Sequence, residues 1–219
     1  KGLLADGKEV LILDDFSIAK KESVDARVKI LEGSLLDIKN FSQELQNCDG
    51  VFHLAAEVSV PKSLVNPKKT LDVNGLGVLR LLEFMRDMKI PKIVYSCTCA
   101  VYGDKGDVDI SEDMLPAPLS PYAYAKLEGE YLMKTYAHLY GVKAVIFRYF
   151  NVYGVGQDPS SPYSAVIPIF ISKIQNGEKI RIFGDGKQTR DFVRVEDVVE
   201  ANKRAMNSDI QCEVINVGC

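Results

Sequence analysis

The 219 residues predict an α/β fold built on a doubly wound parallel sheet. Three observations carry that prediction. Short apolar runs of strand length alternate with longer stretches of helical period. Several runs (EVLIL, GVFHLA, KIVYS) are continuous, as in strands covered on both faces. Polar residues gather just after the runs, where such a sheet opens its ligand crevice.

The elements follow in order. Leu3 and Leu4 before Asp6-Gly7 read as the last turn of a helix with a glycine stop. Glu9–Leu13 is a buried strand ending in Asp14-Asp15. Ala26–Leu31 alternates like a strand, Phe41–Leu45 suggests a short helix, and Gly50–Ala55 is a third strand. From Pro67 to about Met88 the period is helical, with Leu71, Val78, Leu79, Leu82 and Met85 on one side. Lys92–Ser96 is a fourth strand. Ser120–Tyr140 is a long helix, opened by Ser-Pro and stopped by Gly141. Val142–Arg148 is the fifth strand. These five strands are expected to be neighbours, with Thr98 and Tyr122 meeting at one crevice at their carboxyl ends. After Asn151 the pattern loosens into a Gly/Pro/Ser loop over Gly154–Tyr163. A helix–strand–helix run (Ala165–Gln175, Ile180–Phe183, Glu196–Asn207) follows, placed to cap the crevice, and Val214–Val217 reads as a strand.

Composition narrows the function. Lys and Arg number 27 against 30 Asp and Glu, a net charge of −3, so no basic excess points to nucleic acid and a small-molecule partner is expected. The longest apolar runs fall short of the ~18–20 residues of a membrane span. No signal peptide or lipidation motif is seen at the start, and no membrane partner is expected. Five cysteines at 48, 97, 99, 212 and 219 have no framework spacing, which predicts reduced thiols and a cytoplasmic setting. With only His53 and His138, a multi-histidine metal site is excluded, and no metal is expected. Lys1 enters mid-pattern and Val217-Gly218-Cys219 leaves a strand as a turn begins, so the expectation is an internal piece of a longer protein.

The chemistry-bearing residues stand at the strand ends. Ser96-Cys97-Thr98-Cys99 follows one strand, and Tyr122-x-x-x-Lys126 opens the next helix. Residues four apart share a helical face. An ammonium beside a phenol favours the phenolate, which is expected to lower the Tyr122 pKa toward working pH, as a proton-abstracting base requires. A nearby Thr98 hydroxyl can hold the oxygen that loses the proton. By itself Y-x-x-x-K is common and is also satisfied by a surface Tyr and Lys. Thr98 after the preceding strand and Ser120-Pro121 before the helix set this instance apart.

With these residues in view, the chain resembles the extended short-chain dehydrogenase/reductase family, the NAD-dependent sugar epimerases and dehydratases. It is most similar to the UDP-glucose 4-epimerase branch. The resemblance spans essentially the whole sequence through LDDFS (13–17), FHLAA (52–56), DVNGLGVLRLLE (72–83), SCTCAVYG (96–103), SPYAYAKLEGE (120–130), RYFNVYG (148–154) and FGDGKQTRDFVRVEDV (183–198). It implies a Rossmann-like NAD-binding domain over residues 1–150, without its first strand and glycine-rich turn, roughly 15–20 residues by analogy with a βα unit. A partial substrate-binding lobe, interleaved with the core, is implied over 151–219. The glycine turn is what meets the pyrophosphate, so residues 1–219 alone are expected to bind NAD poorly and to turn over nothing. A UDP-sugar or related nucleotide sugar is the implied substrate, and a homodimer the implied assembly of the full-length protein.

The resemblance also implies roles. Thr98, Tyr122 and Lys126 would be catalytic. Asp14, with Asp15 beside it, would accept the adenosine-ribose hydroxyls and repel a 2′-phosphate, favouring NAD over NADP; a turn role is the alternative. Ser34, beside Leu35, stands where relatives carry an Asp that binds the adenine amino group, a departure that weakens one contact. Leu54, Ala55 and Ala56 would pass the cofactor backbone closely, and Asn74 would brace that loop. Ser96, Tyr122 and Lys126 would line the cofactor, with Tyr149 and Phe150 flanking the nicotinamide or serving the core. Thr98, Tyr122, Asn151 and Val166 would contact the substrate. Arg190 would clamp its diphosphate, since a guanidinium matches phosphate bidentately, unless it pairs with Asp191. Dehydratases and decarboxylases of the family carry acids just after the Thr, where this chain has Cys99 and Ala100. That leaves reversible oxidation at sugar carbon 4 as the expected reaction. A dehydratase, reductase or decarboxylase of nucleotide sugars, or a non-catalytic nucleotide-binding module, is the alternative.

Overall fold

A computed structural model describes residues 1–157, 166–182 and 184–219. All strand pairs among them are parallel. β3 (Val51–His53), β4 (Lys92–Thr98), β5 (Lys143–Tyr149) and β8 (Cys212–Val217) form a four-stranded sheet in that order. β1 (Leu11–Asp14) pairs with β2 (Lys29–Glu32), and β6 (Asn151–Tyr153) with β7 (Phe192–Arg194). The five expected strands exist, but they are not one row of neighbours. β1 has a ladder only with β2, and β3 only with β4.

The central strands are buried because both faces are covered. On one face Ile93, Tyr95 and Cys97 of β4 and Ala144 and Ile146 of β5 pack with Val78, Leu82 and Met85 of α5 (Gly77–Met88) and Leu127 and Met133 of α6 (Pro121–Tyr140). On the other, Val94, Val145 and Phe147 pack against Ala201 and Ala205 of α8 (Val195–Asn207). The expectation that this last helix caps the crevice is therefore corrected. Val198, Ala201 and Ala205 recur at helical period, and that stripe seats α8 on the flank of the sheet.

Four further differences matter. The 67–88 stretch is helical throughout, as expected, but not uniformly α: α4 (Pro67–Leu71) runs into α5 through a π-helical segment over Asp72–Leu76. A short helix, α3 (Val60–Val65), was not expected, because its residues are mostly apolar without period; the Ser59 hydroxyl caps it by accepting from Lys62 N. Ile180–Ile182 is not a strand, because it has no partner strand among the described residues, and Phe183 lies outside them. The helix expected from Ala165 is α7 (Val166–Gln175); Ala165 and the greater part of the Gly154–Tyr163 loop lie outside the described residues.

Candidate active site

β4 delivers Thr98 as its last residue. The Thr98 Oγ1 accepts from Ala100 N at 3.2 Å and so caps the 3-10 turn Cys99–Tyr102. Gly103 closes that turn at φ 71°, ψ −148°, where a Cβ would lie 2.1 Å from the Ala117 carbonyl oxygen. Only glycine fits there.

α6 delivers the next two groups. Ser120 caps it, its hydroxyl accepting from Ala123 N at 3.1 Å, and Pro121 occupies the first turn. Tyr122 faces Thr98 across the strand end, hydroxyl to hydroxyl. One turn on, the buried Lys126 ammonium donates to the Ser96 carbonyl at 2.9 Å and lies 5.3 Å from the centre of the Tyr95 ring. The Tyr95 hydroxyl donates to the Lys126 carbonyl at 3.1 Å. The structure therefore brings Thr98, Tyr122 and Lys126 together at the carboxyl end of β4.

Their electrostatics differ from the sequence expectation. The Tyr122 phenol is not lowered; burial pushes it up to about 12, with the Thr98 hydroxyl pulling the other way. Burial also pushes the Lys126 ammonium down to about 8. Desolvation dominates the Tyr122 phenol, while the Lys126 ammonium is itself buried and turned to the Ser96 carbonyl. His53, at the end of β3, stacks on Tyr95 with ring centres 5.6 Å apart. It is pushed down to about 3 by burial first and by Lys126 second, so it is neutral, and its Nε2 has no hydrogen-bond partner among the described residues.

The candidate cofactor residues line the strand ends. Asp14 Oδ1 accepts from Phe16 N at 2.7 Å, so the carboxylate also shapes the turn. Asp15 Oδ1 accepts from Ser17 N at 2.9 Å, and Ser17 holds that carboxyl below the usual range. The Ser34 hydroxyl accepts from Leu36 N, while Leu35 packs against the core. Leu54 is exposed and Ala55 and Ala56 are half-buried in the loop after β3. Buried Asn74, in the π-helical segment, grips that loop: its Oδ1 accepts from Glu57 N at 2.8 Å and its Nδ2 donates to the Glu57 carbonyl at 3.0 Å. The Ser96 hydroxyl is buried beside the Tyr149 phenol without a partner of good hydrogen-bond geometry among the described residues. Tyr149 is held by Asn202 of α8, whose Nδ2 donates to the phenol oxygen at 2.6 Å. Phe150 N donates to the Val217 carbonyl.

The substrate candidates are less gathered. Asn151 commits its backbone N–H and its Nδ2 to the Asp191 carbonyl, at 3.0 and 2.8 Å. Arg190 is exposed, donates to the Thr189 carbonyl at 2.6 Å, and forms no ion pair with Asp191. Val166 begins α7, partly exposed. No hydrogen bond or ion pair among the described residues joins Val166 or Arg190 to the Thr98–Tyr122–Lys126 group.

Sequence reasoning missed the polar groups behind the site. Glu130 and Arg148 are a buried pair, and Asn202 reaches Tyr149. A signal existed for the pair: Glu130 is four residues beyond Lys126, and Arg148 interrupts the apolar strand KAVIFRY.

A profile of the NAD dependent epimerase/dehydratase family matches residues 1–218. A UDP-glucose 4-epimerase of Lacticaseibacillus casei is 35% identical over 221 residues, covering 94% of this chain and 66% of its own length. The UDP-N-acetylglucosamine 4-epimerase of Methanobrevibacter ruminantium M1, solved in complex with UDP-N-acetylmuramic acid, superposes with a TM-score of 0.91 at 39% identity, covering 96% of this chain and 68% of that one. The UDP-glucose 4-epimerase of Thermotoga maritima, solved with UDP-glucose, gives 0.93 at 35% identity, covering 99% and 71%. The chain thus spans about two thirds of the length of these relatives.

Proposed function

The chain belongs to the NAD-dependent epimerase/dehydratase family, and within it we propose that these residues carry the reaction centre of a nucleotide-sugar 4-epimerase of the UDP-glucose/UDP-galactose type. The single observation that carries this reading is the assembled Thr98–Tyr122–Lys126 group with Cys99 and Ala100 beside it. Family dehydratases need a further acid at this point of the chain. Alanine has no proton to give, and burial pushes the Cys99 thiol up, away from acid–base work at neutral pH.

The residues fit NAD. The buried Ser96 hydroxyl lacks a well-aligned partner, and the small side chains of Ala55 and Ala56 border the same strand ends. Asp14 at the end of β1 would hold the adenosine ribose, and Lys126 with Ser96 the nicotinamide half. When bound, NAD supplies the hydride acceptor and a positive charge near the phenol. Tyr122 then takes the proton of the carbon 4 hydroxyl, Thr98 holds that oxygen, and the Lys126 ammonium offsets the phenolate charge. The carbon–oxygen bond becomes a carbonyl as the C4–H bond leaves with its electron pair. On the return, Tyr122 gives the proton back to the oxygen once hydride has reached the opposite face. Tyr122 acts as the base only as phenolate; desolvation opposes that form here, and the positive charges of Lys126 and of bound NAD would favour it.

The test is product analysis. The natural polypeptide carrying these residues, incubated with NAD and UDP-glucose, is expected to give UDP-galactose and reach the same mixture from either sugar. A product lighter by one water would mean a dehydratase instead.

A further inference from the structure

Behind the reaction centre lies a buried ion pair that the proton chemistry does not use. Glu130 of α6 and Arg148 of β5 are 1% and 2% exposed. Arg148 grips Glu130 through both prongs of its guanidinium, Nε to Oε2 at 3.0 Å and Nη2 to Oε1 at 2.8 Å. Lys134 adds a third donor to Oε1 at 2.8 Å. The guanidinium is itself fixed, 4.6 Å from the centre of the Tyr102 ring, which belongs to the turn that begins after Thr98.

We propose that the Glu130–Arg148 pair is a positioning device for catalysis, which sets where α6 holds Tyr122 and Lys126 relative to Thr98. Glu130 is one helical turn beyond Lys126, which is one turn beyond Tyr122, so all three move with one rigid segment. Arg148 stands opposite Cys97 in the β4–β5 ladder, one residue before Thr98. A two-bond fork resists both sliding and rotation, which a single contact does not. β4 also holds this segment through single contacts: Tyr95 and Cys97 donate to the Lys126 carbonyl, Cys97 donates to Glu130, and the Lys126 ammonium donates to the Ser96 carbonyl, but none of these is a fork. A general base must meet its proton within hydrogen-bond reach, so a small shift of the helix is felt in the chemical step more than in binding.

This inference rests on the epimerase reading for its kinetics, but not for its second readout. Replacing a buried ion pair with apolar groups often leaves stability intact, so Glu130→Leu with Arg148→Met separates folding from positioning. The pair variant is expected to melt within a few degrees of the natural protein, to keep KM within about 3-fold, and to lose about 10–100-fold in kcat. The Lys126 ammonium, followed by nitrogen NMR, is expected to titrate well above its natural midpoint as the loosened helix admits water. If the pair variant does not fold, Arg148→Lys, which keeps the charge and loses the fork, is expected to lose about 3–10-fold in kcat at unchanged KM. Natural turnover together with an unmoved Lys126 titration in either variant overturns the proposal. Absence of epimerase activity in the natural protein overturns the epimerase reading alone, and the Lys126 titration then decides the positioning role.

Discussion

Tyr122 and Lys126 were legible because one helical turn fixes their relation before any tertiary contact is known. Their protonation was not legible. Spacing shows that an ammonium stands near a phenol, but burial decides which group yields, and burial belongs to the whole fold. The half-buried phenol, pushed up to about 12, and the buried ammonium, pushed down to about 8, follow from that. With NAD present, Tyr122→Phe should lower kcat by about 10²–10⁴-fold while leaving NAD bound, because the ring stays and only the ionisable hydroxyl goes. Lys126→Met should cost both rate and NAD affinity. Thr98→Val removes one orienting hydrogen bond and should cost about 10–100-fold. Steady-state rates beside NAD titrations check the ordering Tyr122 ≥ Lys126 > Thr98; equal losses for Thr98 and Tyr122 would contradict it.

The five core strands and the long helices were read correctly in kind because period and length are local properties; the short strands β6 and β7, and the absence of one at Ile180–Ile182, were not. The π-helical widening at Asp72–Leu76 was not, and neither was its Asn74 clasp on Glu57, seventeen positions away in sequence, because periodicity reports neither. The seating of α6 on β4 was equally hidden. It depends on Gly129, where an added Cβ would come 2.3 Å from the buried Tyr95 hydroxyl. Tyr95 is fully enclosed and cannot swing aside. Gly129→Ala should therefore destabilise the fold by about 1–3 kcal/mol despite alanine's better helix propensity. Urea unfolding checks this. A gain in stability would show that the helix and strand are not packed this tightly.

In the molecule as a whole, one buried group has a measurable consequence. His53 is buried neutral, with its folded pKa at about 3 against an unfolded value near 6.5. The unfolded chain binds the extra proton between those values, so stability is full above about pH 6.5 and falls as pH drops toward 3. Between pH 6.5 and 5 the loss should be about 2 kcal/mol from this residue. Denaturant curves at both pH values check it: His53→Asn should flatten the slope, and an unchanged slope would place the titration elsewhere. The class of fold was legible from alternation alone, whereas which strand lies beside which was not, because periodicity does not report it.

The central claim is that hydride leaves carbon 4 of the sugar and returns to the same carbon while Tyr122 handles the proton. It is tested most directly with UDP-glucose deuterated at carbon 4, followed by proton NMR in the presence of NAD. The label should appear undiluted at carbon 4 of UDP-galactose, with no exchange into solvent, and Tyr122→Phe should give no labelled galactose on the same timescale. Deuterium found in water, or moved to carbon 6 with loss of the hydroxyl there, would contradict the account.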